Sequence, residues 1–370
     1  MELHLDISLA GSIKACQQLT ELANSNFVPA FALLPPAKRQ AMEILYAFTR
    51  FSDDIVDLPD PNDPDPNANG VPVDIALQRK KQKLGQWISA LESVFGKPDN
   101  TTPPQIDPHD TPAFQRLAQR FPDCGGLVLL PAMKMIVDKY NIPREPLFHL
   151  IEGIESDIEP RVFATFDDSS GYCHQVATSV GYASLAIWGT AMPIFSEPVL
   201  KAARACGIAF QWTNIVRDLL EDYRNGRIYL PQTELRRFGL TDEQFGSVLD
   251  GAQWHKQKTA QKGNNHEQFT FKEMLREMGQ VEENFAQLLT YQLERCEMYY
   301  ENSLPLYDLI HGDSRRAFGL MWNYYYALYQ KMVRQPLLVT GNSRIRLSSL
   351  KKLQLWCRWR FMLCRRLPKR

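Results

Sequence analysis

"CGIAFQWTNIVRDLLEDYRNGRIYLP", Cys206 to Pro231, keeps one period along most of its length. Gln211, Asn214, Asp218 and Asp222 follow one another at spacings of three, four and four, which puts them on one helical face. Ile208, Phe210, Trp212, Ile215, Val216, Leu219 and Leu220 make the surroundings strongly apolar, and Asn225-Gly226 is a helix stop. A polar stripe on an otherwise buried helix lines a cavity or pairs with a second polar stripe.

Such a partner lies upstream in "YAFTRFSDDIVD", Tyr46 to Asp57. Asp53 and Asp57 repeat the i, i+4 spacing of Asp218 and Asp222, with Asp54 beside them. Carboxylates this close repel, and a cation or a proton must neutralise them. If both helices face one cavity, four carboxylates meet there. Hard oxygen ligands in that array suit Mg²⁺, which keeps waters and takes phosphate oxygens as well. Arg50, Arg217 and Arg227 flank the two clusters, and guanidinium groups grip phosphate bidentately. "DDIVD" alone reads as a solvated helix end. The two pairs together, each with arginines, read as a diphosphate held by metal and arginine at the mouth of an apolar cavity.

Helical spacing dominates the rest of the chain. Pro35-Pro36 opens a helix that runs to Asp57, and a second covers about 75–95. Others are expected over about 113–120, 125–141, 145–156, 170–191, 197–224, 270–302 and 313–334, joined by Pro-rich or polar loops such as "LPDPNDPDPNANGVP". Strand-like alternation is nearly absent. The expected fold is all-α: one helical bundle around a central cavity, with a domain over 1–343 and a basic tail over 344–370.

The chain has 370 residues, with Lys+Arg and Asp+Glu both at 42. That balance gives no reason to expect nucleic acid as a partner. Seven cysteines stand without C-x-x-C spacing, so neither a zinc site nor a disulfide framework is indicated. Met1 to Thr20 lacks the pattern of a signal peptide, and no apolar run is long enough to span a bilayer. A cytoplasmic monomer is the expectation.

These motifs resemble the squalene/phytoene synthase family of head-to-head prenyltransferases. The likeness runs from about Phe27 to Met332: the two aspartate-rich motifs, "YCHQVATSVG" at Tyr172 to Gly181, and "DSRRAFGLMWNYYYALYQKM" as the last core helix. The resemblance implies a transferase joining two allylic prenyl diphosphates, first of all two farnesyl diphosphates to presqualene diphosphate and squalene. The alternative is two geranylgeranyl diphosphates to phytoene. It implies Mg²⁺ (or Mn²⁺) on Asp53, Asp57, Asp218 and Asp222, and phosphate on Arg50, Arg217 and Arg227. It makes Tyr172 the catalytic tyrosine, sets Gln211 and Asn214 above the second motif, and puts Tyr46 and Phe27 beside the substrate. NADPH enters only with the squalene reading, and no dinucleotide fingerprint signals it. Asn24 and Asn26 depart from the family, which often has serine there.

On the helix through Tyr172, Val176 and Val180 share its face and would line a prenyl tunnel, although close packing of small residues explains the same pattern. His174 and Cys173 read as packing residues. A terpene cyclase would carry a differently composed second motif. A non-catalytic assembly factor of the same fold would have lost motif carboxylates, and all four are present here.

The segment "RIRLSSLKKLQLWCRWRFMLCRRLPKR" from Arg344 has no acidic residue. Basic side chains alternate with Leu347, Leu350, Leu353, Trp356, Phe361 and Leu363, and Trp356 and Trp359 would suit a headgroup boundary. An anionic membrane surface is the expected partner, with the enzyme peripheral to it. The alternative is a helix packed on the catalytic domain with its basic face in water.

Overall fold

The computed structural model describes residues 8–23, 25, 27–57, 73–95, 125–159, 161–250, 279–341, 343–361 and 367. Among them there is no β-strand, only isolated bridges between Val162 and Ile228 and between Thr190 and Ile310. The helices are α1 (Leu9–Leu22), α2 (Val28–Phe31), α3 (Pro36–Asp57), α4 (Val73–Phe95), α5 (Leu130–Tyr140), α6 (Arg144–Glu155), α7 (Phe166–Cys173) and α8 (Ser179–Trp188). They continue as α9 (Glu197–Arg217), α10 (Leu219–Arg224), α11 (Gln232–Arg237), α12 (Asp242–Asp250), α13 (Gln280–Ser303), α14 (Leu306–Leu309), α15 (Arg315–Arg334) and α16 (Ser349–Arg360).

The core forms because α3 and α9 are apolar on more than one face. Phe48 of α3 stacks on Trp87 of α4 and Phe51 meets it at a tilt, while Trp87 Nε1 donates to Ser52 Oγ at 2.8 Å. α9 packs on α13, α7, α8 and α15. It also approaches the turn between α7 and α8 through Gly207, where a Cβ atom would lie 2.3 Å from Thr178 Oγ1. Only a residue without a side chain permits that contact.

Several boundaries differ from the sequence expectation. The helix expected over 170–191 starts earlier, at Phe166. There Thr165 and Asp168 form a capping box, with Thr165 N donating to Asp168 Oδ2 at 2.8 Å. It is interrupted by a π-helical turn, His174–Thr178, and stops at Gly189, φ 77°. The helix expected over 197–224 breaks at Asp218, φ −105° and ψ 14°. The break is local, because Asp218 N still donates to Asn214 O at 2.9 Å and Asp222 N to Asp218 O at 2.8 Å. The helix expected over 125–141 opens as a 3₁₀ turn, Gly125–Leu129, and ends where Asn141 takes φ 49°. The helix expected over 113–120 and the start of that over 270–302 lie outside the described residues. α1, α11 and α12, and the short α2 and α14, were not anticipated.

The tail corrects the expectation for its tryptophans. Trp359 is not at a boundary with lipid: it is fully buried against Gly319 of α15, where a Cβ would meet its ring at 2.3 Å. Trp356 is half-buried and Leu355 buried. α16 therefore packs on α15, and Tyr324 Oη donates to Lys352 O at 3.1 Å.

Candidate active site

The turn after α10 organises the site. Gly226 takes φ 74°, and Arg227 N donates to Asp222 O at 2.8 Å. The chain then runs beside 162–164: Ile228 bridges Val162, and Gln232 N donates to Phe163 O at 2.8 Å. Ser169 Oγ of α7 donates to Tyr229 O at 2.9 Å. This reversal sets Tyr229 on Tyr172, with ring centroids 4.9 Å apart and the rings stacked.

Asp157, just past α6, joins them. Tyr172 Oη donates to its Oδ2 at 2.7 Å and Tyr229 Oη to its Oδ1 at 2.9 Å. Arg227 Nη2 donates to its carbonyl at 3.1 Å, and Nη1 pairs with Asp57 Oδ1 at 3.3 Å. Burial raises the Asp157 carboxyl and lifts the Tyr172 hydroxyl well above the usual phenol range, so the phenol stays a donor.

Both acidic pairs lie around this hub. Burial pushes Asp53 up to about 8, reinforced by Asp57 and Asp157 and opposed by Arg50. Burial likewise pushes Asp222 up to about 8, with Asp218 and Asp157 adding and Arg227 opposing. The Arg227–Asp57 pair, with Asp157 felt by both Asp53 and Asp222, links the end of α3 to the segment after α10.

The arginines are engaged by carboxylates. Arg50 Nη2 pairs with buried Asp54 at 2.5 Å, so Asp54 is the arginine's anchor. Arg217 holds Asp218 with Nε on Oδ1 at 2.8 Å and Nη2 on Oδ2 at 2.5 Å. Arg344, from the segment before α16, takes the same carboxylate with Nη2 on Oδ2 at 2.8 Å and Nε on Oδ1 at 3.2 Å. Burial alone would raise Asp218, but the two guanidinium groups hold it below the ordinary carboxylate range.

Asn214 Nδ2 donates to Gln211 Oε1 at 3.2 Å. Above them stands an aromatic wall. Phe27 stacks on Tyr325 at 5.1 Å, Tyr325 on Phe210 at 4.5 Å, and Tyr46 meets Phe31 edge-on at 6.2 Å. Tyr46 feels Arg50 and Asp53, which sets it beside the first acidic pair. Val176 and Val180 are half-buried, on the π turn and on α8. Val176 fits tightly against α6, where a Cβ on Gly153 would stand 2.6 Å from it. That contact favours packing over a tunnel for Val176. Asn24 and Asn26 lie outside the described residues.

The donor set suits a hard cation. Among the described residues no hydrogen bond reaches the carboxylates of Asp53 or Asp222, and both are half-buried among like charges. No three His, Cys, Asp or Glu side chains among the described residues enclose an ion by themselves. Mg²⁺ commonly uses one or two carboxylates with waters and substrate phosphates, so a carboxylate pair suits it without a complete protein cage.

Sequence reasoning missed Asp157, Tyr229 and Arg344. Tyr229 stood inside the quoted motif without a role. Asp157 ends an apolar helix in "IEGIESDIEP", a signal too weak to separate it from the neighbouring glutamates.

A helical bundle with two acidic pairs around one arginine-bridged centre is of the isoprenoid-synthase type. A family model for squalene/phytoene synthase matches residues 21–261, and the chain belongs to that family. It is 29% identical over 314 residues to a phytoene synthase of Arthrospira platensis, covering 82% of this chain and 78% of that one. It is 30% identical over 253 residues to 15-cis-phytoene synthase of Synechococcus elongatus, covering 66% and 68%. Against phytoene synthase 3, chloroplastic, of Zea mays the identity is 32%, and the chain spans about half of that protein, 48%. Its fold resembles a dehydrosqualene synthase crystal structure, TM-score 0.63 at 21% identity over 96% and 97% of the two chains. A squalene synthase from Alicyclobacillus acidocaldarius gives 0.58 at 19% over 88% and 95%.

Proposed function

We propose that this chain joins two allylic prenyl diphosphates head to head. The observation that carries the reading is that Asp157 is felt by Asp53, Asp57 and Asp222, with Arg227 spanning from Asp57 to the Asp157 carbonyl. A diphosphate is repelled by such carboxylates unless a cation stands between them. Asp53 and Asp57 would hold Mg²⁺ on one side, and Asp218 and Asp222 on the other. The ion, when bound, stabilises charge on the departing diphosphate.

The chain's own residues do the rest. Arg50, Arg217 and Arg227 rest on Asp54, Asp218 and Asp57 and would turn from them to phosphate oxygens held between the pairs. Asp157 orients the Tyr172 hydroxyl, so the phenol donates from a fixed position. Tyr172, Tyr46, Phe27, Phe210 and Tyr325 give an apolar wall that keeps water from a carbocation, and their ring faces tolerate positive charge.

The sequence alone put farnesyl diphosphate first, with NADPH a possible cofactor that the sequence does not signal. The phytoene synthases named above support geranylgeranyl diphosphate instead, and we take that as the preferred substrate. Purified protein, Mg²⁺ and either diphosphate, with and without NADPH, test the choice by identification of the hydrocarbon. The expected result is phytoene from geranylgeranyl diphosphate regardless of NADPH. A squalene-type product from farnesyl diphosphate alone would reverse the preference, and no condensation product from either would overturn the function.

A further inference from the structure

The helix that carries Tyr172 does not run straight on into α8. Between them His174–Thr178 makes a π turn, closed by Ser179 N donating to His174 O, five residues back rather than four. Ser179 Oγ donates to the same carbonyl at 3.0 Å. One added residue turns everything beyond it by about 100° relative to an uninterrupted helix. Tyr172 and α8 therefore face directions that a plain α-helix over the same residues would not give them.

The turn packs between α6 and α9, and a glycine meets it from each side. A Cβ on Gly153 of α6 would stand 2.6 Å from Val176 Cγ1 and 2.9 Å from Gln175 Cβ. A Cβ on Gly207 of α9 would stand 2.7 Å from Thr178 Cα and 2.8 Å from Thr178 N, backbone that cannot swing aside. These two helices lead to the site. Gly153 lies one turn before Asp157, which accepts from Tyr172 Oη. Gly207, Gln211, Asn214 and Asp218 follow at spacings of four, three and four, so the polar face of α9 begins at the glycine. Within the turn, His174 Nδ1 and Thr178 Oγ1 are buried and have no hydrogen-bond partner among the described residues. Unsatisfied groups of this kind cost stability, and a turn that keeps two of them is retained for position rather than for stability.

We propose that the π turn sets the register of the site, and that Gly153 and Gly207 are positioning residues for the reaction proposed above. Their lack of side chains seats the turn against both helices at once. That seating holds the Tyr172 hydroxyl on Asp157 while α9 presents Gln211, Asn214 and Asp218. Neither glycine touches the reacting groups. A methyl group at either position pushes the turn off one helix, and Tyr172, two residues before the turn, moves with it.

The test is ¹⁹F NMR of the full-length protein labelled with 3-fluorotyrosine, together with steady-state kinetics. The Tyr172 signal is identified by its loss in Tyr172→Phe. Gly153→Ala and Gly207→Ala should each shift that signal and lower kcat by about tenfold to a hundredfold, with KM changed less than about twofold. Gly85→Ala on the exposed side of α4, where a Cβ meets nothing within 4 Å, should change neither. Adding Val176→Ala to Gly153→Ala removes the Cγ1 atom that is struck, and should return the signal toward the parent's position. That pair decides the matter where Gly207→Ala fails to fold. An unmoved Tyr172 signal in Gly153→Ala, or a loss confined to KM, would overturn the proposal. The signal is read without substrate, so a parent that made no condensation product would overturn the reaction and leave the placement of Tyr172 to be decided by the spectrum.

Discussion

At the scale of single residues, the Asp157 hub is the most specific feature of the site. Its two oxygens accept from two different tyrosines, so an amide in its place can serve only one. Asp157→Asn should lower kcat by about tenfold to a hundredfold while KM changes little, the cost of one unsatisfied buried donor. Tyr172→Phe should also act on kcat, because the ring still stacks on Tyr229 and only the hydroxyl is lost. Steady-state kinetics separate the cases, and a change confined to KM would make either residue a binding group. His174 gives a stability prediction. Burial first, then Arg204 and His149, depress its imidazole below the usual value, and its Nδ1 has no partner among the described residues. The unfolded chain therefore takes up the proton first as pH falls. Its contribution is fully present above the unfolded value of about 6.5 and is lost as pH falls toward the folded one. Melting temperatures across this window should drop less steeply in His174→Phe; identical slopes would contradict the assignment.

At the scale of elements, the sequence was readable where period and local chemistry agree. α3, α9 and α15 followed from their apolar spacing, and the Asn225-Gly226 stop was correct because Gly226 does take a positive φ. The π turn after Tyr172 was not visible, since one added residue in a helix changes no composition and leaves the hydrophobic pattern almost intact. The break at Asp218 was hidden for a similar reason: the polar spacing runs through it unchanged, and Arg344, which closes on its carboxylate beside Arg217, is remote in sequence. The partners of Asp157 were beyond reach because Tyr172 and Tyr229 come together only through the loop after Gly226. Element packing also supplies a stability test. Glu234 of α11 accepts from Arg295 of α13 through both oxygens, at 2.5 and 2.8 Å, and from Gln292 at 2.7 Å. The pair is buried, and the Arg295 guanidinium lies over Phe166 at 3.9 Å. Glu234→Ala should cost about 3–5 kcal/mol by leaving that cation unpaired. Chemical denaturation measures it, and a loss below about 1 kcal/mol would mean the pair behaves as a surface ion pair.

At the scale of the molecule, α3 and α10 are far apart in sequence and are linked beside Asp157 by the Arg227–Asp57 pair. Their acidic pairs therefore act as one unit, and the effects of removing them should not multiply. The decisive measurement is a double-mutant cycle on diphosphate release with Mg²⁺, using Asp53→Asn, Asp218→Asn and the combined variant. Each single change should cost about 10²–10³ in kcat, with the combined variant little slower than the worse single one. A combined loss equal to the product of the two single losses would contradict a single site.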